Sequence, residues 1–326
     1  MRLMNRSVLA VICICLISAA QESTAEKPAM ELGGLVTVDY YSSSHDMEHP
    51  SLTIGEVDLG ANVNISDEII ATILIKAEED LAALWIDQAF VSFKPMPELE
   101  LLFGQHIFKH GLLGTQMISY PLYLSDDDEV FYTIQMIRPG LTGSYTLGAF
   151  TPSLCFTALP TDVDTSVAIK EVWDPAAVLS LDFAPNEESV VRLASLMYAR
   201  ALDVDLAAAL VFGSFSIDAE GFARFTADTL AADQSGVSAG LAWSFLDRYS
   251  AAARYDGLSN SGMFKDLGMR VGLGLSVDIK DGIYAAAEFG HVMPSVGKAY
   301  QEVMLEIGLE QTIKLPGFQR KTLSTD

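Results

Sequence analysis

After its first two dozen residues the chain has no apolar run long enough to cross a bilayer as a helix. The longest, Leu206 to Gly213, falls far short of the ~18 residues such a helix needs. Basic residues are scarce as well: 20 Lys and Arg stand against 43 Asp and Glu, a formal net charge of −23. That balance excludes nucleic acid as a partner, because phosphates demand clustered Lys and Arg. It suits a polar surface or lumen that attracts cations. Cysteine is nearly absent, with Cys13, Cys15 and Cys155 the only three.

The N-terminus reads as an export signal. Arg2 and Arg6 give it a basic start and Val8 to Ile17 an apolar core, and small residues then fit cleavage after Ala20 or after Ala25. No lipobox-like sequence precedes Cys13 or Cys15. Residues 1–25 (or 1–20) are therefore expected to be removed, leaving Cys155 alone and no intramolecular disulfide. The remainder, 26–326, is expected to be one domain.

What the chain has in abundance is alternation. From Thr53 every second residue reads Thr53, Gly55, Val57, Leu59, Ala61, Val63, Ile65, against Ile54, Glu56, Asp58, Gly60, Asn62 and Asn64. After the break Ser66-Asp67-Glu68 the pattern resumes through Ile69, Ala71, Ile73, Ile75 and Ala77. Successive side chains of a strand point to opposite faces, so this is a hairpin with one apolar face. Each strand has the length of a tilted strand crossing a bilayer.

The pattern recurs along the chain. In Trp85 to Phe93 it puts Trp85, Ala89, Val91 and Phe93 on one face, and Leu99 to Gln105 follows as a fifth strand. From His106 to Pro139 the chain stops alternating, and so long an unpatterned connection is usually functional. Hairpins return from Leu141 to Ala158 and from Leu179 onward, ending with Val303, Leu305, Ile307, Leu309, Gln311 and Ile313. The spacing predicts about sixteen strands in an all-β, antiparallel, up-and-down transmembrane barrel. Connections after even strands read as tight turns, whereas those after odd strands tend to be longer, polar and Gly-rich. Aromatics gather beside the tight turns at Phe93, Phe150, Phe183, Phe212, Phe215, Phe245 and Tyr249, where an interfacial girdle belongs.

If the apolar face meets lipid, the other lines a water-filled lumen, since sixteen strands leave an interior too wide for side chains to fill. The predicted pore-lining residues include Glu56, Asp58, Lys76, Asp218, Glu220, Arg254, Arg270, Asp278, Glu288, Glu302, Glu306 and Glu310. Asp182, Arg192 and Arg224 share that face. Residues four apart on a strand lie about 13 Å apart, so Glu302, Glu306 and Glu310 make a charged wall rather than one metal site. Opposite charges such as Arg270 and Glu288 either pair across the wall or set selectivity. The His106–Pro139 connection could fold into the mouth as a constriction, presenting His106, Lys109, His110, Gln116 and the run Asp126-Asp127-Asp128. No cofactor and no metal ligand set is evident.

Part of the chain resembles a known family. Glu56-Val57-Asp58-Leu59-Gly60, Glu78-Glu79-Asp80, Ile86 to Val91, Phe103-Gly104-Gln105 and Gly114 to Leu122 are similar to LbtU-type siderophore porins. The resemblance spans roughly residues 53 to 125. Where that family tends to carry Gly-Arg before Pro-Phe-Gly, this chain has Gly104-Gln105 and Ile107-Phe108-Lys109, without the pore-facing Arg. The last residues, Leu323 to Asp326, also depart from the aromatic end common in barrels. The resemblance implies an outer-membrane barrel that takes up an iron-siderophore complex. With no room before Gly34 for a plug domain, a plug-gated receptor is not expected.

The expected function is an outer-membrane channel for small hydrophilic solutes, with a metal-siderophore complex as the cargo the resemblance implies. The alternative is a cation-preferring diffusion porin without a specific ligand. An enzyme is not expected, because no Ser/His pair sits on adjoining strands near the rim. The expected partners are membrane lipid and the solute, with homo-oligomerisation left open.

Overall fold

A computed structural model describes residues 28–44, 50–78, 85–108, 137–165, 168–198, 201–226, 234–259, 268–280 and 282–316. These residues form sixteen strands. They are β1 (Pro28–Ser43), β2 (Ser51–Asn64), β3 (Ile69–Glu78), β4 (Trp85–Met96), β5 (Leu99–Ile107), β6 (Ile137–Tyr145), β7 (Phe150–Thr165) and β8 (Ala168–Asn186). Then follow β9 (Ser189–Tyr198), β10 (Ala201–Phe212), β11 (Phe215–Thr226), β12 (Gln234–Phe245), β13 (Tyr249–Ser259), β14 (Gly268–Lys280), β15 (Ile283–Met293) and β16 (Tyr300–Pro316). Each pairs with its sequence neighbours, and β1 pairs antiparallel with β16 from Met30–Leu315 to Ser43–Glu302, closing the sheet into a barrel.

Polarity is inverted relative to a water-soluble domain. Large apolar side chains point outward and are exposed: Leu206 57%, Leu273 59%, Ile307 60%. Charged side chains point inward and are covered: Asp203 1%, Asp256 0%, Arg270 2%, Glu288 3%. Water would penalise the first set, whereas hydrocarbon rewards it. Part of the predicted girdle, Phe215, Phe245 and Tyr249, forms a strip on the outer face through Trp243. Phe215 stacks on Trp243 at 5.9 Å, Trp243 meets Phe245 at 4.6 Å and Phe245 stacks on Tyr249 at 5.7 Å. Phe150 and Phe183 pair nearby at 5.0 Å.

The turns on this side are short. Gly148 and Gly213 take positive φ, and Glu188 N–H donates to Asn186 Oδ1 at 2.9 Å. The β12–β13 turn instead puts Leu246 (φ 53) and Asp247 (φ 56) in the left-handed region, the geometry of a type I′ hairpin.

The fold departs from the sequence expectation at three places. Trp85 does not share a face with Ala89, Val91 and Phe93: β4 carries one extra residue at Asp87, so Leu74 pairs with Gln88 but Lys76 pairs with Trp85. An inserted residue flips every side chain beyond it. The unpatterned connection is shorter than 106–139, because β5 continues to Ile107 and β6 begins at Ile137. His106 is thus a strand residue. Finally, the connections after β7 and β9 are intervals of two residues, at 166–167 and 199–200. Register continues from Ala158–Pro175 out to Thr165–Ala168, through Pro160 and a run of charges that hide the alternation.

Two outcomes follow from this arrangement. Leu305 faces lipid, so Leu305→Arg should cost about 2–4 kcal/mol in urea unfolding from lipid vesicles, and inward Met304→Arg much less. Replacing Leu246-Asp247 by Asn-Gly should stabilise the barrel by about 0.5–1 kcal/mol in the same assay, since both residues then suit positive φ.

Candidate functional site on the inner wall

The inner wall follows from strand alternation. One register row runs Asp182, Arg192, Ala207, Glu220, Ser238, Asp256 and Arg270 across β8 to β14, all facing inward. Oppositely charged members of this face pair rather than project. Arg192 grips Asp182 with two bonds, Nε–Oδ1 at 2.7 Å and Nη2–Oδ2 at 3.1 Å. Lys76 meets Asp58 at 3.4 Å, and Lys94 meets Glu100 at 3.1 Å.

The densest cluster lies on β12 to β16. Arg270 donates through Nη2 to Glu288 and through Nε to Glu302 at 2.5 Å. Arg254 Nε donates to Asp256 Oδ1 at 2.7 Å, and Ser238 Oγ donates to the same oxygen at 2.8 Å. Of the two readings open for Arg270 and Glu288, pairing across the wall is what the geometry displays. The Glu302, Glu306 and Glu310 series has no common focus: Glu302 turns to Arg270, Glu306 bonds Tyr284, and Glu310 is exposed. Among the described residues no group of three potential ligands is set to hold a metal ion.

Several of these side chains lie flat along the wall over a glycine of the next strand. Glu302 crosses Gly290, Asp218 crosses Gly240, Phe222 crosses Gly236 and Tyr284 crosses Gly308; in each case an added Cβ would meet the overlying side chain. Lying flat keeps these side chains close to the sheet. Asp278 is exposed near the β14–β15 turn, and Glu220 is half-buried. Glu56 lies in β2, in register with Glu78. Lys109, His110, Gln116, Asp126, Asp127 and Asp128 lie outside the described residues, as does the export signal.

His106 does not behave as a solvated loop histidine. It is 2% exposed, with Nε2 2.7 Å from Thr142 Oγ1 and Nδ1 2.9 Å from the Gly104 carbonyl. Phe90 and Phe108 flank its ring at 6.0 and 5.7 Å. Phe108 continues into an inward apolar cluster with Cys155, Ala176, Val178 and Leu196. Gln105, standing where the resembled family carries Arg, binds backbone. Its amide donates to the carbonyls of Ile86 and Asp87 at 2.9 and 2.7 Å, beside the β4 bulge. Gly104 at φ +121 is forced, since a Cβ there would strike the Ala89 carbonyl.

Arg224, assigned to this face by alternation, pairs with Asp203, which the alternation left unassigned. Nε and Nη2 of Arg224 hold Asp203 at 2.8 Å each, Nη1 reaches Gln234 at 3.0 Å, and the Tyr198 ring lies 5.9 Å away. The signal was present, for Asp203 and Asp205 alternate with Leu202, Val204 and Leu206. Removing one partner of a buried ion pair strands the other charge. Arg270→Met should therefore cost about 3–5 kcal/mol in urea unfolding followed by tryptophan fluorescence. Lys94→Met, whose pair is half-exposed, should cost about 0–1 kcal/mol.

No protein-family model matches the chain, and no curated protein does. Solved structures share its fold. The outer membrane channel DcaP of Acinetobacter baumannii superposes with a TM-score of 0.66 at 12% identity, over 90% of this chain and all of that one. OmpT, an outer membrane protein of Vibrio cholerae, gives 0.61 at 11% identity over 90% of this chain and 100% of its own. An anion-selective porin from Comamonas acidovorans gives 0.61 at 10% identity, over 87% of this chain and 100% of that chain. At such identities the likeness is one of fold: a closed antiparallel barrel of sixteen strands.

Proposed function

We propose that this chain is an outer-membrane channel of porin type, exported by its first 20 to 25 residues, through which small hydrophilic solutes pass. The observation that carries the reading is the inversion of polarity around a closed sheet. Apolar residues such as Leu273 and Ile307 stand exposed outside, and Asp, Glu and Arg line the inside. Such an outer face is at ease only in hydrocarbon, and a closed sheet leaves no backbone group unpaired there. The fold shared with a channel and a porin supports the same reading.

Solutes would be sorted by width and by charge at the wall. In this reading Asp58, Lys76, Asp218, Glu220, Arg254, Arg270, Asp278, Glu288, Glu302, Glu306 and Glu310 line the pore, a reading their register supports, and Glu56 joins them by the same alternation. Carboxylates outnumber basic groups among them, which favours cations. Within this reading the residues resembling LbtU-type siderophore porins make an iron-siderophore complex the specific cargo. The alternative, a cation-preferring diffusion porin with no specific ligand, draws on the wall charge alone. Catalysis finds less support, since His106 is held by Thr142 and Gly104, and His291 alternates with the inward Gly290 and Val292.

Purified protein in a planar bilayer should conduct, and in a salt gradient its reversal potential should shift toward cation preference. Silence at all voltages the membrane tolerates would refute the channel. A strain lacking the protein should lose growth on one particular iron chelate if the cargo is specific. Equal growth on every chelate would leave the general porin.

A further inference from the structure

The aromatic belt at the tight-turn end does not run all the way around the barrel. From β4 to β13 outward rings recur beside the turns: Phe93, Phe150, Phe183, Phe212, Phe215 and Tyr249. On both sides the belt stops within one register pair. Tyr249 on β13 stands against Val277 on β14, and Phe93 on β4 stands against Ile69 on β3. Between those limits lie six consecutive strands, β14 to β16 and β1 to β3, joined through the seam. Their outward positions at this end are aliphatic: Val277, Ile283, Leu309, Leu32, Val63 and Ile69. Ile283 is 41% exposed and Leu309 43%. Among the described residues, the outward rings that these strands do carry, Tyr40 and Phe289, stand toward the other end.

An aromatic ring with an apolar body and a polar edge suits the headgroup boundary, so the belt marks where lipid meets the wall. An aliphatic side chain has nothing polar to offer that boundary, yet it packs well against another apolar wall. Gly34, Ala71 and Ala285 lie on the same face and keep its relief low, as small residues do where membrane helices approach closely. Six strands at about 4.8 Å spacing make the face roughly 29 Å wide. Across an apolar band about 25 Å tall it offers roughly 700 Å², near the ~800 Å² that each partner buries in a standard interface. It also spans six of sixteen strands, about three-eighths of the circumference. Two convex walls touch along a narrower strip than that, so one neighbour leaves part of the face bare and two neighbours cover it. Aliphatic against aliphatic needs no matched charges, so the face is complementary to itself, and identical chains assemble with closed symmetry.

We infer that the outward face of β14 to β16 and β1 to β3 at the tight-turn end is an interface with further copies of this chain, in a closed ring with the β1–β16 seams toward its axis. The interface goes beyond the channel reading and needs only that the barrel lie in a membrane. Leu305, higher on β16, stays with lipid. Its register row runs through Ala287 and Leu275 down to Ala251 beside Tyr249, so strand tilt carries it toward the belted side.

The test uses the full-length mature protein, extracted from membranes in mild detergent and weighed by light scattering. The mass should be that of three or more chains. A mass of one or two chains, or one chain with a different polypeptide, overturns the ring. Ile283→Trp combined with Leu32→Trp supplies the missing rings and should shift the mass to a single chain. Leu241→Trp, on the belted side, should leave the mass unchanged. Where the double variant does not fold, cysteines in a Cys155→Ser background decide. Oxidation in the membrane should join copies carrying Leu309→Cys, beside the seam, and not copies carrying Leu241→Cys. Equal cross-linking at the two positions overturns the interface. None of these readings needs a current: a ring that does not conduct keeps the interface and refutes the channel, and a conducting single barrel does the reverse.

Discussion

A strand in hydrocarbon must give every N–H and C=O to another strand, because no water is there to receive them. That requirement accounts for the seam between β1 and β16, which joins the two ends of the sheet through continuous register. With the seam closed, no edge is left to face lipid. With it open, two long strand edges would stand unpaired in a medium that tolerates neither. Strand length, turn size and the aromatic strip are consequences of fitting this closed ring to the thickness of a bilayer.

Closure also sets a problem on the inside. Sixteen strands enclose more space than their side chains fill, so the interior is wet and its wall polar. Arginines and carboxylates neutralise one another at Asp182–Arg192 and Asp203–Arg224 on adjacent strands, and at Glu288–Arg270–Glu302 across β14, β15 and β16. These bidentate and bridging bonds hold the side chains to the wall, and glycines on neighbouring strands let them lie flat. The same pairing neutralises part of the charge that the wall carries.

The wall is not uniform around its circumference. Between β5 and β9 it carries an apolar patch of Phe108, Cys155, Val178 and Leu196 next to His106, along with the Asp182–Arg192 pair. Between β12 and β16 it carries the cluster of Arg254, Asp256, Arg270, Glu288 and Glu302.

The amino-acid sequence by itself determined the barrel, its roughly sixteen strands and the apolar face of the hairpins whose alternation is unbroken. The reason is physical: with lipid on one side and water on the other, a period of two is enforced residue by residue. Only the tertiary structure decided which inward charges meet: Arg270 on β14 reaches past β15 to Glu302 on β16, whose side chain lies over Gly290. It also decided the facing of Trp85, because a single extra residue at Asp87 shifts the phase without altering the composition. His106 looked like a loop residue because a glycine before it and an unpatterned stretch after it masked the strand; its burial depends on Thr142, thirty-six residues away.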